Sequence, residues 1–209
     1  MKKLGFLMLL LTLTVMLGGT ALAVCAAPLT GDPSDYLTTY YSNANTANAP
    51  DATVRLINDG GASFQTCAPN APCGPTQGGE NLWADIYVFD DSEELTECCS
   101  CVVTPDGLLS ESVNKNLTAN PLTGLKPTRG VIKVISSAFP SAVIVSPVAG
   151  LRGWATHVQK LPSGFSLTET LLADSNLSSD ELGLLQNLCY YDGQLSGQPC
   201  TCTPEDQDF

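Results

Sequence analysis

The sequence predicts a mainly β protein, a disulfide-stapled β-sandwich of immunoglobulin-like or jelly-roll-like type with one short C-terminal helix. Three observations support this prediction. About eight short segments carry alternating or β-branched apolar residues, and Gly, Pro and Asp turns separate them. Helical patterns do not alternate with these segments, as they would in a doubly wound sheet. Finally, nine cysteines occur among the 209 residues, and eight of them follow a candidate export signal.

The predicted strands show a period of two or a run of β-branched residues. They are residues 53–58, 82–89, 95–103, 108–113, 130–136, 142–145, 151–161 and 165–173. The strongest pattern is that of residues 82–89, where aliphatic residues on one face alternate with Trp83, Asp85, Tyr87 and Phe89 on the other.

A single helix is predicted near the end of the chain, over about residues 179–191. Ser178 and Glu181 form a capping box, in which each side chain would accept a hydrogen bond from the other residue's backbone N–H. Leucines and Cys189 follow at helical spacing, and Gly193 offers a stop signal.

The N-terminus has the pattern of a secretory signal peptide. Met1-Lys2-Lys3 is positively charged, an apolar run follows, and small residues then permit cleavage after Ala23 or Ala26. The run is shorter than the roughly 20 residues of a spanning helix, which disfavours a retained anchor. Lipidation of Cys25 is the alternative, but Val24 departs from the small residue expected before a lipid-modified cysteine. We therefore expect a secreted protein, extracellular, periplasmic or at the cell surface.

Four regions follow from this division. Residues 1–26 are the signal peptide, 27–52 a flexible Ser/Asn/Thr/Ala-rich leader, 53–202 the sandwich domain and 203–209 an acidic tail. The tyrosines of the leader are expected to pack at its start.

The charge balance excludes several classes of partner. The formal net charge is −12, and removing residues 1–26 leaves 7 basic and 21 acidic residues, or −14. This disfavours nucleic-acid binding, which depends on neutralising phosphates, and docking on anionic lipid. No transmembrane segment is predicted in the mature chain, and an extracellular or cell-surface partner is compatible with these features.

The cysteines predict four disulfides. Eight cysteines, an even number for an oxidising compartment, remain after cleavage at Ala26. They are Cys67, Cys73, Cys98, Cys99, Cys101, Cys189, Cys200 and Cys202. Cys67 and Cys73 flank a turn-forming stretch and could pair. The trio 98, 99 and 101 is then expected to pair with the trio 189, 200 and 202, with Cys98 on one face of its strand and Cys99 and Cys101 on the other.

A thiolate metal site or a redox centre is the competing interpretation of the two trios. Their spacings are adjacent or C-x-C, however, whereas zinc ligands usually occur as C-x2-C pairs.

Two motifs resemble those of an uncharacterised group of secreted bacterial proteins. They are Tyr-Val-Phe-Asp-Asp at residues 87–91 and Glu-Cys-Cys-Ser-Cys at residues 97–101. The resemblance covers most of residues 53–202 and implies export and a bacterial origin, but no activity.

Two sets of side chains are candidate binding residues. Asp90, Asp91, Glu93 and Glu94 are oxygen ligands of the kind that Ca²⁺ prefers, although a solvated acidic turn explains them equally well. On the strand that precedes them, Trp83, Asp85 and Tyr87 could line a sugar-binding groove, the alternative being that they belong to the core.

Known catalytic signatures are missing from the sequence. It contains no G-x-S-x-G elbow, Walker A loop, G-x-G-x-x-G fingerprint or H-E-x-x-H motif, and His157 is the single histidine. We therefore expect no cofactor and a non-catalytic structural or binding module. The alternatives are a metal-binding or redox protein that uses the cysteines, and a hydrolase with an unrecognised carboxylate site.

Overall fold

The computed structural model describes residues 24–26, 34–62, 64–66, 79–121, 123–196 and 202. In this part of the chain the strands are β1 (Val24–Ala26), β2 (Tyr36–Tyr41), β3 (Thr53–Asn58), β4 (Phe64–Thr66), β5 (Leu82–Asp90), β6 (Leu95–Val103), β7 (Leu108–Ser112), β8 (Gly130–Ser137), β9 (Leu151–Leu161), β10 (Gly164–Leu171) and β11 (Ala173–Asp174). The helical elements are a π-helical turn at Val113–Leu117 and the helix α1 at Ser179–Ser196.

Two antiparallel sheets form the sandwich. One has five strands in the order β11-β2-β8-β5-β6, and the other has four in the order β10-β9-β3-β7. Strands β1 and β4 pair separately. The mainly β sandwich with one C-terminal helix is thus confirmed.

The larger core lies between the two sheets. The five-stranded sheet contributes residues such as Ile86 and Val134, and the four-stranded sheet contributes residues such as Leu56 and Leu151, all fully buried. The alternation along β5 places its aliphatic residues here, as the period of two predicts.

A second, smaller core lies on the outer face of the five-stranded sheet. Tyr87 of β5 and Ile135 of β8 pack there against Leu185 and Cys189 of α1. The segment 138–148 contributes Ala142 to the same cluster. This sheet is therefore buried on both faces, by the opposite sheet on one side and by α1 and its neighbours on the other.

One of the two hydrogen bonds predicted for the capping box of α1 is present. The N–H of Glu181 donates to Ser178 Oγ at 3.1 Å, but the Glu181 carboxylate does not return to Ser178. It accepts instead from Tyr36 Oη at 3.0 Å and from Lys133 Nζ at 2.5 Å. The Lys133 ammonium and the Tyr36 hydroxyl take the place of the Ser178 N–H as partners of the Glu181 carboxylate, because both lie beside the first turn of the helix. The helix also continues past Gly193, to Ser196.

Two other expectations are corrected. The predicted leader 27–52 contains β2, which pairs along its whole length with β8, because Tyr, Leu and Thr residues favour a strand despite the polar stretch that follows. The predicted strand 142–145 is irregular and covers the outer sheet face, where Ala142 O accepts from Tyr87 Oη at 2.7 Å. No helix among the described residues has both the length and the apolar character needed to span a bilayer.

Candidate functional site

A groove opens where the edges of the two sheets approach each other. It has a volume of about 160 Å³ and is bounded by β2 and β11 on one side and by β9 and β10 on the other. Its lining residues are Ser34, Leu37, Leu151, Arg152, Gly153, Trp154, Leu171, Leu172 and Asp174.

A polar depression continues this groove toward α1. It is lined by Ser34, Asp174, Ser175 and Asn176, so the two concavities share Ser34 and Asp174. Together they place aromatic and aliphatic surface at one end and hydroxyl, amide and carboxylate groups at the other.

The backbone holds the polar end in place. Ser34 Oγ donates to the carbonyl oxygen of Tyr36 at 2.8 Å, and the N–H of Ser175 donates to the same oxygen at 3.0 Å. The hydroxyls of Ser175 and Thr38 lie 3.1 Å apart. Both sides of this end are therefore tied to β2, which belongs to the buried five-stranded sheet.

The apolar end depends on Trp154, which is partly exposed in β9. It lies across from Leu171 in β10 and from Arg55 in β3. The preceding residue must be glycine for close packing, because a Cβ at Gly153 would lie 2.6 Å from Leu56 Cδ2. Arg152, at the rim, pairs with Asp59 at 3.1 Å.

The groove offers several hydrogen-bonding groups and one lining residue with an aromatic side chain. Serine hydroxyls and the Asn176 amide both donate and accept, and Asp174 accepts. The Trp154 ring offers a flat apolar surface with an N–H donor at its edge. Ligand sites typically combine such apolar walls with a few polar groups.

The candidates on β5 are not on an accessible surface. Asp85 and Tyr87 are fully buried beneath the outer layer, and Trp83 is partly buried. Burial raises the pKa of Asp85 to about 7, although the hydroxyls of Ser100 and Ser137 act in the opposite direction. Tyr87 belongs to the second core, as the alternative interpretation proposed.

The acidic residues after β5 form a turn. Asp90 Oδ1 accepts from the N–H groups of Ser92 and Glu94, at 2.8 and 3.1 Å, and Asp91 pairs with Arg129. Glu93 has a φ of 65° and is exposed, as is Glu94. Within the described residues, the carboxylates of Asp90, Asp91, Glu93 and Glu94 do not converge on a common point as ligands of one cation would.

The cysteines of β6 point to opposite layers. Cys98 faces α1 and is bonded to Cys189, whereas Cys101 faces the inter-sheet core and is bonded to Cys202. Cys99 shares the inner face and is also disulfide-bonded. Each observed bond joins one member of the first trio to one of the second. Cys67, Cys73 and Cys200 lie outside the described residues, as do the predicted signal-peptide residues before Val24 and the tail 203–209.

His157 is a packed residue rather than a catalytic base. It is buried, its Nε2 lies 2.7 Å from Thr170 Oγ1, and its ring stacks on Tyr40 with centroids 4.1 Å apart. Burial lowers the pKa of the imidazole, which favours its neutral form.

Sequence reasoning missed the groove. Its residues come from positions 34–37, 151–154 and 171–176, which only the antiparallel pairing of distant strands brings together. One available signal was the pairing of a glycine with a tryptophan at 153–154 inside a strand pattern, since glycine in a strand often marks a close approach.

Comparisons with known proteins add little to this description. No family model matches the chain, and no curated protein matches it. A solved structure described as the crystal structure of Thermotoga maritima 1070 is similar at 12% sequence identity, covering 72% of this chain and 100% of that chain, with a TM-score of 0.41.

Proposed function

We propose that the chain is a secreted, non-catalytic binding module whose ligand occupies the groove between the sheet edges. The ligand class that fits this groove is a small polyhydroxylated molecule such as a sugar unit. The observation that carries the proposal is that Trp154 lines a groove which shares Ser34 and Asp174 with the adjoining polar depression of Ser175 and Asn176.

Sugars present both apolar C–H faces and hydroxyl groups. An aromatic ring covers the former, while hydroxyl, amide and carboxylate groups satisfy the latter. Because the polar end is tied to β2, little ordering cost would accompany binding, and pre-organisation of this kind favours affinity.

The groove supports binding better than hydrolysis. Canonical glycoside hydrolysis uses a pair of carboxyl groups flanking the scissile bond, about 5–9.5 Å apart. Asp174 is the one carboxylate among the described residues that line the groove, and Glu169, on the neighbouring part of β10, pairs with Arg55 at 2.7 Å.

Export is supported by the N-terminal sequence pattern and by the oxidised cysteines of β6. Disulfides persist mainly in oxidising compartments. The resemblance of residues 87–91 and 97–101 to secreted bacterial proteins agrees with this localisation. Cell fractionation, with the mass of the exported chain, would test both the localisation and the cleavage site.

The two tryptophans allow a direct test of the ligand site. In W83F, Trp154 is the only tryptophan, and in W154F the only one is Trp83. We expect titration with glucose, galactose, mannose, N-acetylglucosamine and their short oligomers to shift the emission of W83F and leave that of W154F unchanged. D174N should weaken the same response about tenfold, or roughly 1.4 kcal/mol.

Two results would contradict the proposal. One is the absence of any response in W83F up to about 10 mM of every sugar. A dissociation constant above that concentration would be too weak for specific binding. The other is an equal response in W154F. If the protein released reducing ends from an oligomer, the groove would still be the ligand site, but its function would be hydrolysis and not binding.

A further inference from the structure

Strand β10 is an open edge of the four-stranded sheet. It comes first in the order β10-β9-β3-β7, and β9 is its one strand partner among the described residues. The other sheet edges differ from it, because β6 is almost wholly buried, β7 has five residues and β11 has two. β10 has eight residues, and most of their side chains are exposed.

The sequence of β10 lacks the features that usually protect an edge strand. It contains no proline and no lysine, and it pairs with β9 over its whole length without a bulge. Its one charged residue, Glu169, pairs with Arg55 of β3 at 2.7 Å. Leu167 and Leu171 are 52% and 67% exposed. An exposed, regular and largely uncharged edge of this kind is a template for pairing with a further strand.

A backbone hydrogen bond shows which groups of β10 point away from β9. Leu172 continues the register of β10 opposite Gly153, and its N–H donates to Gly153 O at 2.9 Å. In an antiparallel pair, residues that bond to the neighbouring strand alternate with residues that bond away from it. The N–H and C=O groups that point to the open edge are therefore those of the odd-numbered residues, Phe165, Leu167, Glu169 and Leu171.

The residues of β10 are arranged almost symmetrically about Thr168. If two copies of β10 pair antiparallel with Thr168 at the centre, Phe165 lies opposite Leu171 and Ser166 lies opposite Thr170. Opposed apolar residues and opposed hydroxyl residues stabilise neighbouring strands. The strand is thus close to complementary to a second copy of itself.

The neighbouring registers that use the same outward-pointing groups fit less well. A pairing centred on Glu169 places two like charges directly opposite each other, which is destabilising. A pairing centred on Leu167 places Leu171 opposite Ser163, which lies outside β10. The register centred on Thr168 is the one that uses the outward-pointing groups from Phe165 to Leu171 in both copies.

We propose that two copies of the chain associate through β10, with a two-fold axis at Thr168, to form one continuous eight-stranded antiparallel sheet. The outward-pointing residues of the two copies exchange about eight N–H···O bonds. Leu167 lies at this edge but does not line the groove, so the proposal is independent of the proposed ligand site.

The size of the contact makes the dimer weak and reversible. An eight-residue strand is about 27 Å long, and a sheet is about 10 Å thick, so the paired edges bury roughly 540 Å² in total. This area is below the roughly 1,200 Å² of a standard stable interface. We therefore expect a dissociation constant of about 10–1,000 μM.

The charge of the protein distinguishes a second copy from a basic partner protein. The formal net charge is −12, so two copies repel each other, and salt should strengthen their association by screening this repulsion. Salt should weaken the binding of a positively charged partner. The compensated charge of Glu169 at this edge also favours a second copy.

The first experiment is analytical ultracentrifugation of the full exported chain from about 5 to 500 μM. We expect a monomer–dimer equilibrium whose dissociation constant falls at least about twofold when NaCl is raised from about 0.05 to 0.5 M. L167P removes an N–H that points to the open edge and none that bonds to β9, so it should weaken the dimer at least about tenfold. L167V keeps this N–H and is the matched control, and circular dichroism would show that both variants are folded.

Cysteine cross-linking tests the register without a proline. In the proposed dimer the two Thr168 residues form a non-hydrogen-bonded pair with Cα atoms about 4.5 Å apart, a distance that a disulfide can span. T168C should therefore give a disulfide-linked dimer on mild oxidation. S166C is the control, because the two Ser166 residues would lie about 14 Å apart.

Four results would overturn the proposal. They are a chain that stays monomeric up to about 500 μM, a dimer that folded L167P leaves intact, a dimer that salt dissociates, and cross-linking of S166C that is as fast as that of T168C.

Discussion

Lys133 of β8 and Glu181 of α1 form an ion pair with an N–O distance of 2.5 Å between the centre of the five-stranded sheet and the first turn of the helix. The ammonium also lies 4.9 Å from the centre of the Phe89 ring, within cation–π range. With the Cys98–Cys189 disulfide further along α1, this pair attaches the helix at two points to the outer face of the sheet.

Replacing Glu181 should remove a small stability that depends on pH. Burial alone would raise the pKa of this carboxyl, but hydrogen bonds from Lys133 and Tyr36 outweigh it and lower the pKa. The native state therefore favours the ionised form, and its contribution is present above the ordinary pKa and lost as the pH falls below it. We expect E181Q to cost about 0.5–1 kcal/mol at pH 7 and almost nothing at pH 3.

Urea unfolding at the two pH values would measure this difference. D180N, at the exposed acid beside Glu181, is the matched control. An equal loss in both variants would mean that general helix-dipole effects, and not the contact with Lys133, are responsible.

Removing the helix disulfide should release α1 while the sheets stay paired. The bond closes a separation of 91 residues, and chain entropy gives such a crosslink roughly 4 kcal/mol. We expect C98A/C189A to lose up to this amount, with faster amide exchange in α1 than in β5.

C101A/C202A is the comparison, because its bond faces the inter-sheet core and closes a similar separation of 101 residues. Amide exchange in α1 should remain slow in this variant. Equal acceleration in both would show that α1 and the sheets unfold as one unit.

Asp85 should make the protein less stable as the pH rises. Burial raises the folded-state pKa of Asp85 from 3.8 to about 7, so the native state binds more protons than the unfolded state between these values. The contribution of Asp85 to stability is then greatest at low pH and declines from about pH 4 to pH 7. We expect D85N, which resembles the neutral acid, to exceed the wild type by about 2–4 kcal/mol at pH 8.

At pH 4 the two proteins should differ little, and unfolding curves across this range would show convergence. If the free energy of unfolding of the wild type were as flat with pH as that of D85N, the burial argument would be contradicted. Glu97 has a pKa raised to about 7 by burial as well, so D85N should reduce the slope without abolishing it.

Gly130 should not accept a side chain. A Cβ there would lie 1.9 Å from Phe89 O and 2.8 Å from Tyr41 Oη, where β8 passes between β2 and β5. We expect G130A to cost at least about 3 kcal/mol in thermal or urea unfolding. G183A is the control, since nothing lies within 4 Å of its Cβ and alanine should stabilise α1 by about 0.5–1 kcal/mol. Similar effects of the two substitutions would refute the close-packing argument.

Strands that face the core were predictable because burial imposes a period of two. The bounds of β3, β6 and β9 agree with those predicted from alternation. β2 was not predicted from the sequence, because the residues after Tyr41 are Ser, Asn, Thr and Ala, and this composition suggests a flexible leader. Its position beside β8 depends on a long-range pairing that local propensity does not report.

The faces of the cysteines could be predicted, whereas the groove could not. Adjacent residues on a strand point to opposite faces, so Cys98 and Cys99 had to separate. Trp154 and Asp174 are brought into one concavity by the path of β9, β10 and β11, and no local pattern encodes that proximity.

The cysteines of β6 also determine how the oxidised molecule responds to mechanical tension. A pull on the two ends of the chain passes from Cys101 directly to Cys202 through their bond and bypasses residues 102–201. Those residues, which include β8, β9 and the whole of α1, cannot be extended until the bond is reduced. Under tension the oxidised chain therefore has a short end-to-end length. The end-to-end length of the reduced chain can increase by up to about 3.3–3.6 Å for each released residue.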